Sequence, residues 1–295
     1  MAEAKAINHP DGRQHGEHLV SIQIMSDLHL ETPKFLPMYH HFQIEPKAPY
    51  LALLGDIGIA QDEKLFRFLE QQLLNFEIVF FVLGNHELYG STYADARVGM
   101  EAFESDVKAA RQAGRVSLGQ FVFLDQKRFD VPGSTVTVLG CTLFSAIAPL
   151  QRSTVLLFVS DFSNITDWTV DTHNAAHRAD LDWLNKEVEG IARNEPDRRI
   201  IVLTHYSPTS LPKANSPEHL GDGRGVQSAF VTELKDEICW SSPAVLVWAF
   251  GHTHYNCDFI SETGKRVLAN QRGCGRENRF DFDPDKVVVV DERLR

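Results

Sequence analysis

The chain has 295 residues, 43% hydrophobic and 23% charged, with a net charge of −11; this is the balance of a soluble globular protein long enough to bury a substantial core. The acidic surplus argues against a surface that tracks a nucleic-acid backbone, so no nucleic-acid partner is expected, but it leaves room for an anionic substrate held at bound cations. No apolar run reaches the roughly 20 residues that span a bilayer, residues 1–18 lack the apolar stretch of a secretory signal, and the four cysteines show no C-x-x-C pairing; the expected setting is the cytosol, with no membrane association.

Residues 1–18, with His9, His15 and His18, read as a flexible tail. The remainder, 19–295, shows no repeat, low-complexity block or Gly/Ser-rich linker and reads as a single domain. Apolar runs at Leu19–Met25, Tyr50–Leu54 and Ile78–Leu83 have the length and composition of buried strands. Between and after them come helices. Glu63–Asn75 has apolar residues at helical spacing behind an N-cap at Asp62, and Thr92–Ala113 ends at Gly114. Gln120–Leu124, Arg128–Val131 and Thr135–Gly140 follow as close-spaced strands around a Pro132-Gly133 turn, a pattern that predicts antiparallel pairing. Ser145–Thr172 lacks clear periodicity and reads as a lid-like insertion, partly packed through Leu156–Val159 and Trp168. His173–Asn194 predicts a strong helix with Ala176, Leu181, Trp183, Leu184 and Val188 inward. His173 and His177 stand one turn apart, but without the acid of a metal-binding His-Glu-x-x-His helix they read as packing or capping residues. Strands are expected at Ile200–Leu203, Ala244–Phe250, Cys257–Ser261, Arg266–Leu268 and Lys286–Val290, the last closing a sheet, and a loop runs from His205 to about Gly225. Alternating elements followed by a run of strands predict an α/β (mixed α+β) architecture, with a mixed sheet or two facing sheets and helices outside.

Five of these strands end in a polar cluster: Asp27-Leu28-His29, Gly55-Asp56, Gly84-Asn85-His86-Glu87, Thr204-His205 and Gly251-His252-Thr253-His254. A parallel sheet gathers such strand ends on one edge, where α/β proteins place their sites. The clusters offer oxygen and imidazole donors, enough for two metal ions, in a set that suits Mn, Fe, Zn or Ni rather than a thiolate-bound ion. Residues two apart on an extended strand end point the same way, which would let Asp27 and His29 share one ion. Glycines at 55, 84 and 251 keep the approach free of side-chain bulk.

In order and spacing the five clusters resemble the signature of the calcineurin-like metallophosphoesterases, written D-x-H, G-D, G-N-H-E, H and G-H-x-H. Cys141-Thr142-Leu143-Phe144 and Asn270-Gln271-Arg272-Gly273 are weaker echoes of the same family. The resemblance implies a four-layer sandwich of two facing mixed sheets between helices, and a dinuclear centre. Carried over residue by residue, one metal takes Asp27, His29 and His254, the second takes Asn85, His205 and His252, and Asp56 bridges the two. His86 is then a catalytic residue and not a ligand. The expected activity is hydrolysis of a small phosphoester by a hydroxide bridging two divalent or trivalent transition-metal ions. Glu87 is expected to support the turn behind His86, and Tyr206, His219, Asp222 and Asn256, beside ligand segments, to lie behind the ligands or touch substrate.

One departure is informative. The protein serine/threonine phosphatases follow the second cluster with Asp-Arg-Gly, whereas Gly55-Asp56-Ile57-Gly58-Ile59-Ala60 has no arginine. That moves the expectation away from the protein phosphatase branch, toward a stand-alone phosphodiesterase or broad-specificity phosphoesterase. The rival reading from another class is a non-catalytic, protein-binding member that keeps the fold; such members lose metal ligands or the histidine after the asparagine, and this chain keeps them all.

Overall fold

The computed structural model describes residues 19–115, 117–216, 225–274 and 281–293. The reading of 1–18 as a tail, and the candidates His219 and Asp222, fall outside the described residues.

Among the described residues, eleven strands form two sheets. The first contains β1 (Leu19–Met25), β2 (Tyr50–Leu54), β3 (Ile78–Val82), β4 (Gln120–Phe123) and β11 (Val287–Asp291), in the order β11-β1-β2-β3-β4. The four consecutive strands are parallel, and β11 pairs antiparallel with β1. The second sheet contains β5 (Lys127–Asp130), β6 (Val136–Cys141), β7 (Arg199–Thr204), β8 (Val245–Phe250), β9 (Cys257–Ile260) and β10 (Arg266–Ala269), in the order β5-β6-β7-β8-β10-β9. Its inner four strands are parallel, with β5 and β9 as antiparallel edges.

The apolar runs are continuous because both faces of each sheet are covered. Ile22 and Ile24 of β1, Ala52 and Leu54 of β2, and Phe80 and Val82 of β3 pack with Val138, Ile201, Leu203, Val247 and Ala249 in a core between the sheets. The alternate residues Leu51, Leu53, Val79 and Phe81 face outward. There they meet α1 (Glu63–Leu73), through Leu65, Phe68 and Leu69, and α2 (Tyr93–Gln112), through Met100, Phe103 and Val107. On the other side, α5 (Val170–Asn194) buries Leu184, Val188 and Ile191. The layers are therefore helix, sheet, sheet, helix, as the resemblance implies.

Two expectations need correction. The strands at 120–140 are not an antiparallel meander: β4 pairs parallel with β3 in the first sheet, and only β5 and β6 form a hairpin, in the second. The chain crosses between sheets at Asp125-Gln126, where Gln126 takes φ of +48°; close spacing along the sequence says nothing about such a crossing. The stretch 145–172 is not without regular structure. It holds α3 (Arg152–Phe158) and α4 (Asp161–Asn164), and α5 begins at Val170 behind a capping box at Thr169 and Thr172. Ile147, Val155 and Val170 anchor it in a small core with Val226 and Ala229, while Leu157 and Phe158 stay exposed.

Candidate metal centre

The strands β1, β2 and β3 of one sheet and β7 and β8 of the other end on the same edge, and the two sheets are stitched together there. Ser26, after β1, bridges in parallel to Gln271, after β10, and the Asn270 amide donates to the carbonyl of Ile24. All seven candidate ligands lie on the short segments that follow these strands.

They converge into two adjoining groups. Asp27, His29 and His254 form one and Asp56, His205 and His252 the other, each with its ligand atoms within 4.8 Å of one another. His29 Nε2 lies 3.1 Å from His254 Nε2, and His254 Nε2 lies 3.4 Å from Asp27 Oδ1. Asp56 stands between the groups, with Oδ1 3.4 Å from His205 Nε2 and Oδ2 3.8 Å from His29 Nε2. Asn85 joins the second group through Oδ1, 3.1 Å from His205 Nε2.

The backbone that presents these side chains is not extended. Asp27, His29, Asp56, His252 and His254 all take positive φ, between +46° and +70°. Asp27 and His29 thus share a side through left-handed turns rather than through strand alternation, which corrects the sequence argument. Asp and His tolerate this region better than most residues, yet five cases in one site are an accumulation of strain of the kind functional sites hold. Close packing adds to it. A Cβ on Gly84 would sit 2.2 Å from Asp56 Oδ1, and one on Gly251 would sit 2.6 Å from Asp27 Oδ2.

The donor set fits cations. His205 Nδ1 is held 2.8 Å from the carbonyl of Leu54, which makes Nδ1 the protonated nitrogen and leaves a lone pair on Nε2. His29 Nδ1 lies 3.2 Å from Glu31 Oε1, with the same consequence. His252 Nε2 is buried with no hydrogen-bond partner, and burial, followed by the charge of His205, pushes its pKa well below the usual histidine value. A neutral imidazole with an unused lone pair, beside buried carboxylates, is the condition metal binding requires. Burial opposes ionisation of Asp27, but the hydrogen bond and charge of His254, with His205 and His29 behind them, outweigh it and lower the carboxyl pKa.

His86 lies beside both groups, one-quarter exposed; His254 is one-fifth exposed, and the other six candidate ligands are buried. Its backbone N–H donates to Asp56 Oδ1, its Nδ1 lies 2.9 Å from Glu31 Oε1, and Tyr89 stacks on its ring at 4.3 Å. Burial opposes its protonation, but Asp56 and then Glu31 raise its pKa to about 9.

The remaining candidates stand further back. Glu87 is fully buried and accepts four backbone N–H groups, from Asp56, Ile57, Gly58 and Gly84. Tyr206 is fully buried too, its ring 3.9 Å from that of His252. Asn256 bonds both main-chain groups of Gln271, whose side chain accepts from the N–H of His254. His173 and His177 lie on the inner face of α5, bonded to Ser145 and to the carbonyl of Leu143. Sequence reading passed over Glu31 and Asp161. Glu31 continues the alternation of Asp27 and His29, a signal that could have been used; Asp161 sits in the stretch with no clear period and gives none.

The molecule is similar to other proteins along most of its length. It is 24% identical over 294 residues to an uncharacterised protein of Acanthamoeba polyphaga mimivirus, covering 92% of this chain and 98% of that one. Its fold resembles that of a phosphopantetheinyl hydrolase from Mycobacterium tuberculosis, with a TM-score of 0.62 and 15% identity over 89% of this chain and 92% of that one. A dimetal phosphatase from Danio rerio gives a TM-score of 0.48 at 14% identity, over 85% and 87% of the two chains. Residues 20–256 match the calcineurin-like phosphoesterases, and the chain belongs to that family.

Proposed function

We propose that this chain is a metal-dependent phosphoesterase acting on a small phosphoester, with a diester or a broad substrate range favoured over phosphoproteins. The observation that supports it is the meeting of seven donor side chains from five strand ends in two groups that share Asp56. Asp27, His29 and His254 would hold one ion, Asn85, His205 and His252 the other, and Asp56 both. Bound there, two transition-metal ions supply an activated water near neutral pH and positive charge for phosphate oxygens.

The chain's own residues do the rest. Glu31 fixes the proton of His86 on Nδ1 through their 2.9 Å contact, so that Nε2 is the atom left to face substrate. Its negative charge also favours the protonated ring against the repulsion of nearby cations. His86 in this state donates a hydrogen bond to the phosphoryl group or a proton to the departing alkoxide. Tyr89, stacked on the ring, restrains it from swinging away. The absence of arginine from Gly55 to Ala60 leaves no guanidinium there to clamp a dianionic monoester, which favours the singly charged diester.

Hydrolysis of bis(p-nitrophenyl) phosphate and p-nitrophenyl phosphate, with and without added Mn2+, tests the proposal; a fully metallated protein that turns over neither would end it. His86→Ala is expected to lower turnover by about 10²–10⁴-fold while leaving metal content near that of the wild type. Equal loss of metal would contradict the role given to His86.

A further inference from the structure

We propose that Asp161, on α4, is a positioning residue that locks the Asn85 amide with its oxygen turned toward the donor cluster. The inference rests on the reading of Asn85 as a metal ligand. It adds a carboxylate that belongs to none of the five strand-end clusters.

An asparagine amide presents an oxygen at one end and an NH2 at the other, with nearly the same shape. Facing a cation, the first attracts and the second repels, so a ligand asparagine needs something to hold it the right way round. In this molecule Asn85 Nδ2 donates to Asp161 Oδ1 at 2.8 Å, and the opposite end, Oδ1, lies 3.1 Å from His205 Nε2. A carboxylate accepts and cannot donate, so the reversed amide would set two oxygens against each other in a buried place. Asp161 is only 2% exposed. Its own geometry is fixed by Tyr89 OH, 2.8 Å from Oδ1, and by Tyr206 OH, 3.3 Å from Oδ2.

The same two tyrosines pack on the site. Tyr89 stacks on His86, and the ring of Tyr206 lies against His252. One carboxylate therefore braces a candidate ligand directly and two further imidazoles through aromatic rings. Asp161 does not act as a ligand itself. Both of its oxygens receive hydrogen bonds, and it is absent from the groups of His, Cys, Asp and Glu able to share an ion among the described residues. A merely structural residue would be indifferent to which ion is lost, whereas an amide lock should weaken the ion held by Asn85, His205 and His252 and spare the other.

Equilibrium dialysis of the full chain against Mn2+, with metal analysis and a parallel thermal melt, separates these roles. The wild type should bind two ions. Asp161→Ala should keep one at wild-type affinity and weaken the other by about 10–100-fold, the usual effect of removing a residue that orients a ligand. Asp161→Asn, whose carbonyl can still accept from Asn85, should weaken the same ion at the lower end of that range, about tenfold; it decides the matter if the alanine variant does not fold. Wild-type affinity for both ions in the variants, or equal weakening of both, overturns the lock. A wild type that binds fewer than two ions instead overturns the dinuclear reading on which the lock depends.

Discussion

Glu87→Gln tests how the ligand loops are held. Glu87 Oε2 accepts from the N–H groups of Asp56 (2.9 Å) and Gly84 (2.7 Å), and Oε1 from those of Ile57 (2.7 Å) and Gly58 (3.2 Å). Glutamine has the same volume but only one oxygen, so its NH2 must face two N–H donors. Two hydrogen bonds to a charged acceptor disappear, each worth about 1.5–3 kcal/mol, for a loss of about 3–6 kcal/mol. A second effect opposes this one. Burial, with the charge of Asp56 behind it, pushes the Glu87 carboxyl up to about 7, which by itself would make a neutral isostere stabilising. The donor count decides the sign, because each oxygen of the carboxylate faces two N–H donors.

At pH 8, where the carboxyl is ionised, Glu87→Gln should therefore lower the melting temperature. At roughly 2 °C per kcal/mol the drop is about 6–12 °C. The urea midpoint should fall with the m-value unchanged. An unchanged or raised melting temperature would mean that desolvation outweighs the four N–H groups, and the argument would fail.

Two further outcomes are expected. Gly84→Ala places a Cβ 2.2 Å from Asp56 Oδ1 and 2.8 Å from His205 Cε1; relief must come from the site itself, at about 1–3 kcal/mol, and dialysis should show Mn2+ binding weakened by about tenfold or more. Wild-type affinity would show that the loop yields freely. His173 is buried and held near pKa 3, by burial first and then by the charge of His177, against an ordinary value of 6.5. Between these values the unfolded chain binds a proton that the folded chain refuses, so stability is complete above pH 6.5 and is lost as the pH falls. By pH 5 the loss is about 2 kcal/mol, and His173→Gln should shrink the difference in unfolding free energy between pH 8 and pH 5 by that amount; an undiminished difference refutes it.

Much of this molecule was legible because its strands are buried on both faces and end abruptly. Leu51-Ala52-Leu53-Leu54 followed by Gly55-Asp56 marks a strand, its end and a candidate ligand in six residues, and β1, β3, β7 and β8 repeat the device. The helices α1 and α2 were legible from the cap at Asp62, whose side chain accepts from Lys64, and from the stop at Gly114; Thr92, counted inside α2 by its sequence, is instead its N-cap and accepts from Asp95. Pairing was harder. Nothing in Gln120–Phe123 distinguishes a strand parallel to β3 from one that turns back on β5, because register and direction belong to the partners and not to the segment. The inner face of α5 was legible only in part. His173 and His177 pack there as the sequence suggests, bonded to Ser145 and Leu143, and Leu184 and Val188 are buried as expected. Asp180 was missed, because a carboxylate counts as outward until the groups that bond it are known, and Ala176, Leu181 and Trp183, expected inward, are only half-buried.

The supports of the site follow a division that also explains why they were hidden. The candidate ligands come from loops whose backbones bond one another: Asp27 N–H to the carbonyl of Gly55, His29 N–H to that of Asp56, and Gly251 N–H to that of His205. Asp27 accepts in turn from the N–H of His252. Each left-handed residue in these loops costs about 1–3 kcal/mol, so five of them require a frame that holds them against relaxation, and the mutual bonds together with Glu87 provide it. A frame assembled before any cation arrives spends little free energy on rearrangement when one binds. Such a frame cannot be read one strand at a time, because each loop is held by a residue of another.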